Sequence, residues 1–140
     1  MFIDDSDYRV VCDAQDLDIL TQSDPVIRVK AEGVAMEEVA SYLRGRYDTD
    51  KAFAATGEER NMMLLQVVAN VAMYYMAHWL PQSLALDARF TLYEKAIDWL
   101  NRVAKGSIMP DLPTYTGGDG STDITNPVRY GSLPRTNNDY

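Results

Sequence analysis

The chain has 140 residues, 46% of them apolar, with a formal net charge of −8 and a pI near 4.5. A chain of this length buries about 68% of its unfolded surface, enough for one domain with its own core, so global disorder is excluded. The acidic balance excludes a general nucleic-acid binder, and the single cysteine, Cys12, excludes an internal disulfide and a multi-cysteine zinc site.

Residues 1–24 hold seven acids and one base, Arg9. The opening MFIDDSDYR is acidic where a secretory leader is basic, so no leader is expected. Residues 13–22, DAQDLDILTQ, predict a short helix with Asp13 as N-cap and Leu17 and Leu20 on one side. Cys12 reads as a half-buried small hydrophobe.

Asp24 followed by Pro25 is an N-cap and first-turn pair that opens a second helix. Met36, Ala40, Leu43 and Tyr47, with Val39 beside them, give it an apolar face. Gly33 weakens its first half by up to ~1 kcal/mol. Residues 48–57, DTDKAFAATG, read as a connector.

A third helix is expected over 58–80, with Glu58 and Glu59 at its positive end. Met62 to Leu80 is 19 residues, the length of a membrane span. It contains Gln66, Asn70 and His78, and no Lys or Arg tracks flank it, so a buried central helix is expected. His78 reads as a partly buried histidine near the helix end, and Pro81 as the stop.

A fourth helix is expected over about Leu84–Lys105. It carries two apolar stripes, Phe90, Tyr93, Ile97, Leu100 and Ala104, and Leu92, Ala96, Trp99 and Val103. Asp98 and Arg102 form a favourably ordered i,i+4 pair, and Gly106 suits the residue that closes a helix.

Beyond Gly106 the periodicity stops. Residues 107–140 hold four of the six prolines and four of the eight glycines, with apolar residues spread singly. That pattern fits an extended peptide that docks through isolated anchors. The anchors expected to meet a neighbour are Ile124, Val128, Tyr130, Leu133 and Tyr140, with Arg129 and Arg135 to pair with acids there. The ordering cost of about 1–2 kcal/mol per residue implies that the arm orders on contact with another subunit.

SYLRGRY (Ser41–Tyr47) and YEKAIDWLNRVAKG (Tyr93–Gly106), with an apolar helix between them, resemble the Mu-like tailed-phage neck proteins. Arg89, Tyr93, Ala96, Ile97, Trp99, Leu100, Ala104, Lys105 and Gly106 match that family's last-helix motif. The resemblance covers about residues 8–106; the arm lies outside it, and the connector lacks the proline usual there. The resemblance implies a helical-bundle subunit of the virion neck, made in the host cytoplasm. It implies a dodecameric homo-oligomeric ring bound to a portal protein and to a tail or stopper protein, with genomic DNA passing through unbound. It brings no catalytic residue, no cofactor and no membrane.

Chemical readings of other residues are weak. Glu37–Glu38 and Glu58–Glu59 are adjacent pairs that do not face each other. GGDGSTD, Gly117–Asp123, lacks both the phosphate-loop ending and the distal glutamate of a calcium loop, and reads as a hinge. Arg44 and Arg46, beside Tyr47, either bond the last carbonyls of their own helix or meet a neighbouring subunit.

The expectation is an all-α protein: three main helices plus a short N-terminal one over residues 1–106, and an extended C-terminal arm over 107–140. Its expected role is a non-enzymatic head–tail connector adaptor. The alternatives are a stopper or head-closure protein, or a soluble helical regulatory protein that binds one partner through its arm.

Overall fold

A computed structural model describes residues 2–22, 24–79 and 86–115. The protein is all-α. Among the described residues six helices run α1 (Asp5–Tyr8), α2 (Ala14–Thr21), α3 (Pro25–Leu43), α4 (Thr49–Ala54), α5 (Met62–His78) and α6 (Leu86–Ala104), with a 3-10 turn at Gly57–Glu59 before α5. Among the described residues there is no strand.

Aspartates start most of these helices. The side chains of Asp4, Asp13, Asp24 and Asp48 accept from the backbone N–H groups of Ser6, Asp16, Val26 and Lys51, and Pro25 follows Asp24 as the helix begins. The Asp7 side chain accepts from the Asp4 N–H at 2.8 Å, completing a capping box on α1. Much of the acidity at the N-terminus therefore has local structural work.

α5 is the axis of the bundle, with α3 and α6 packed on it and on each other, and α1 and α2 covering another side. Val67, Val68, Val71, Ala72, Met73 and Met76 are all buried, as expected of a helix apolar nearly all round. Among the described residues no helix is long and apolar enough to cross a membrane. α5 begins later than its sequence suggests. Asn61, not Glu58, caps it by accepting from Leu64 N–H at 2.9 Å, and the two glutamates sit exposed in the 3-10 turn. The expected stop at Pro81 lies outside the described residues; the last helical residue is His78.

α6 buries a face centred between its two expected stripes: Ala96, Leu100 and Val103 are covered, Tyr93, Ile97 and Trp99 half-covered, and Phe90 is exposed. It closes with a Schellman arrangement. Gly106, at φ +83°, donates to Val103 O at 3.0 Å and Ser107 to Arg102 O at 2.9 Å. The Asp98–Arg102 pair forms at 3.0 Å, exposed on both sides and thus of little energetic weight.

The connector 48–57 contains α4, and the N-terminal segment is bound to the bundle. Phe2 and Ile3 are buried, and Phe2 meets Phe53 edge-on at 5.1 Å. Tyr8 is fully buried and donates to Glu32 at 2.8 Å; Glu32, itself buried in α3, also accepts from Arg28 Nε at 2.8 Å. Arg28 lies 5.0 Å over the Tyr8 ring and pairs with Asp5.

Candidate interaction surface

The two segments that carry the resemblance meet in space. α3 ends at Leu43, and Arg46 and Tyr47 both donate to the Leu43 carbonyl, which turns the chain. The turn aims Arg46 at the far end of α6, where Nε donates to Ala104 O at 3.1 Å. Its guanidinium also covers Gly106: a Cβ there would lie 3.1 Å from Arg46 Nη2. Glycine at 106 thus answers both a positive φ and a close approach.

This narrows the interface expected at Arg44, Arg46 and Tyr47. Tyr47 is only 7% exposed and belongs to the core. Arg46 bonds the last carbonyl of α6, so neither its own α3 nor, for this bond, a neighbouring subunit is the partner. Arg44 remains on the surface, paired with Glu37 at 3.1 Å.

The nine residues after Gly106 do not leave the bundle, contrary to the expectation that 107–140 departs as one arm. The Asp111 carbonyl accepts from Asn61 Nδ2 at 3.1 Å, and the Pro113 carbonyl from Asp48 N–H at 2.8 Å. Leu112 is buried, Ile108 packs against the core, and Tyr115 donates to Arg44 O at 2.7 Å. The expected docking residues Ile124, Val128, Arg129, Tyr130, Leu133, Arg135 and Tyr140, and the hinge Gly117–Asp123, lie outside the described residues.

The N-terminal acids also differ from an open acidic fringe. Asp7 is paired with Arg60 at 2.7 Å, their side chains 9% and 13% exposed, and Asp5 is paired with Arg28. Asp16 and Asp18 stay exposed on α2.

A polar junction ties the three long helices. Glu38 of α3 accepts from Tyr75 of α5 at 2.8 Å and from Tyr93 of α6 at 2.7 Å. Burial first, and the Glu38 carboxylate second, raise both phenols above their ordinary value. Tyr74 stacks on Tyr93 at 4.3 Å and on His78 at 5.8 Å. His78 is exposed there, not partly buried as expected. Cys12 is half-buried as expected, and burial pushes its thiol up, away from nucleophilic chemistry.

Among the described residues two apolar surfaces stand open. One is a groove of about 320 Å³ where Val10 and Val11 face Met62, Met63 and Leu65, with Val10 81% and Met62 70% exposed. The other runs along α3. Val26, Val29 and Gly33 follow helical spacing on an exposed face separate from the buried Ala31, Ala35 and Val39, and Val26 and Val29 are each 54% exposed; the same line continues to the half-buried Met36 and the buried Ala40. Against α4 this face forms a groove of about 470 Å³ whose lining includes Gly33, Met36, Ala40, Arg44, Phe53 and Ala54. Met36 and Ala40 lie on the apolar face expected from the sequence, Ala40 buried and Met36 packed against the core at the edge of this groove. The valines at 26 and 29, one turn apart, were the available signal for a second stripe. No family model, curated protein or solved structure matches the chain.

Proposed function

We propose that the chain is a structural virion protein, a head–tail connector adaptor that forms a ring between the portal and the tail of a tailed phage. It acts through protein surfaces, and genomic DNA passes through its ring without specific binding. The observation that carries this reading is the junction of Arg46 with Ala104 and Gly106. The two segments on which the neck-protein resemblance rests are one structural unit, and Tyr47 and Leu100 lie in the core beside it. The exposed apolar groove at Val10 and Met62 gives the bundle a surface for a neighbouring subunit. The exposed acids Asp16 and Asp18, repeated around a ring, keep phosphates from sticking.

The test is assembly. The full-length protein mixed with the portal protein of the same genome should co-elute with it and add a ring at one end in negative-stain images. Separate elution with no added ring at any protein ratio, or tight salt-sensitive binding of duplex DNA by the protein alone, overturns the reading.

A further inference from the structure

We propose that the apolar groove at Val10 and Met62 is closed by the same groove of a second copy, in a weak two-fold pair of the free chain. A two-fold pair closes on itself, so it is not the proposed ring and does not rest on the virion reading; in a ring, a neighbouring subunit would displace it from the same surface.

The groove has raised lips and a hollow base. Val10 stands 81% exposed on one lip, in the turn after α1. Met62 and Met63, 70% and 43% exposed, form the other lip in the first turn of α5. Leu65 and Ala69 are buried at the base, and Val11 packs against the core. A volume of about 320 Å³ has room for a branched side chain. Methionines are unbranched and polarisable, and repack around what enters. A two-fold axis sets Val10 of each copy into the groove of the other. One contact, used twice, then covers both raised valines and both hollows.

Charge follows the same division. Arg9, beside Val10, is exposed and has no partner among the described residues. Glu58 and Glu59 are exposed in the 3-10 turn that leads into Met62, and they too have no partner among the described residues. Arg60 ties that turn to the groove, because it donates both to the Gly57 carbonyl and to Asp7, which lines the groove. The free base therefore belongs to the Val10 lip and the free acids to the Met62 lip. Exchanging lips across the axis brings Arg9 of each copy to Glu58 and Glu59 of the other. Asp7 is already paired with Arg60 at 2.7 Å, so closing the groove strands no charge there.

A foreign partner would have to carry the apolar knob and the base together; a second copy has both by symmetry. The net charge of −8 on each copy opposes pairing, but at physiological salt it is screened beyond about 8 Å. Eight residues line the groove, against about 20–30 a side in a stable interface, so the pair is weak.

The test is sedimentation equilibrium of the full chain under reducing conditions. The mean mass should rise from one copy toward two between about 1 µM and 1 mM, the span of weak association, and go no further. Methyl signals of Met62 and Met63 should shift over the same range, and that of Met36, in the α3–α4 groove, should not. Arg9→Glu, and Glu58→Arg combined with Glu59→Arg, alter exposed side chains, so circular dichroism and melting temperature should be unchanged. Each variant alone should pair about tenfold more weakly, since like charges then meet at both contacts. Mixed in equal amounts, the two should pair as tightly as the native chain, because each contact then joins opposite charges. A chain that stays single up to about 1 mM overturns the proposal. So does a mass that climbs past two copies, a Met62 signal that stays still while the mass doubles, or a mixture that pairs no more tightly than its parts.

Discussion

The segment before α2 and the stretch after α6 are both extra chain laid over one three-helix core, and they are held by opposite chemistry. Residues 2–8 are the more acidic, yet they are bound by charge: Asp7 to Arg60, Asp5 to Arg28, and Tyr8 to a buried Glu32. Residues 107–115 carry a single acid, Asp111, and are bound mainly by neutral contacts: backbone carbonyls at 111 and 113, the Tyr115 hydroxyl, and Leu112 in the core. Breaking a partly buried ion pair costs about 3 kcal/mol or more, whereas a neutral hydrogen bond contributes about 1 kcal/mol. The acidic end is therefore the firmer of the two.

The largest effect should come from Arg60→Ala. Arg60 donates to the carbonyls of Gly57 at 3.0 Å and Phe2 at 2.7 Å as well as to both Asp7 oxygens. Its loss leaves two carbonyls without this donor and a nearly buried carboxylate with only the Asp4 N–H. A destabilisation of about 3 kcal/mol is expected in urea unfolding, with faster amide exchange over residues 2–12 and little change at 107–115. A loss under about 1 kcal/mol would make the two ends equivalent and break the comparison.

The same contrast explains what the sequence made legible. α2, α3 and the end of α6 follow from signals carried by neighbouring residues: Asp13, the Asp24–Pro25 pair, and Gly106. α1 and α4 have four and six residues, too few for a helical period to register, and their aspartate caps look like surface charge. Glu32 was invisible as a buried acid because one partner, Tyr8, lies 24 positions away and only folding brings it close. For Arg46 the sequence leaves open its own helix's carbonyls or a neighbouring subunit, and the carbonyl it bonds belongs to a helix 58 positions on. Local caps are written in the sequence; partners across the bundle are not. For the candidate surface, the spacing of Val26, Val29 and Gly33 was readable, while α4 as its wall was not.

A smaller effect is expected at the other end. Leu112→Ala removes the buried anchor of residues 107–115, at the rim of the core where neighbours can relax, so about 2 kcal/mol is expected, the low end for such a change. The signature that separates it from Arg60→Ala is regional. Exchange should rise at Asp48, whose N–H bonds the Pro113 carbonyl, and stay slow at Tyr8. If Leu112→Ala instead loosens residues 2–8, the two ends are one cooperative unit.

The smallest effect is pH-dependent and acts on the N-terminal end through Tyr8. Burial, and then the Glu32 carboxylate, raise the Tyr8 phenol well above its ordinary 10. Below pH 10 the phenol is protonated whether the chain is folded or not, so its contribution to stability is complete. Above pH 10 the unfolded chain loses this proton and the native chain keeps it. The native state then binds more protons than the unfolded state, and stability falls as pH rises. At pH 10.5 the loss from Tyr8 alone should be under about 1 kcal/mol. In a Cys12→Ser background, which removes the thiol that burial also raises, urea midpoints should be flat from pH 7 to 9.5 and decline beyond 10. Tyr8→Phe in that background should start lower at pH 7, since it lacks the bond to Glu32, and then decline less steeply; the slope that remains belongs to Tyr47, Tyr75 and Tyr93, whose phenols are also raised. An undiminished slope in Tyr8→Phe would mean that the N-terminal segment opens before its tyrosine titrates, and that its charged contacts hold it less firmly than their burial implies.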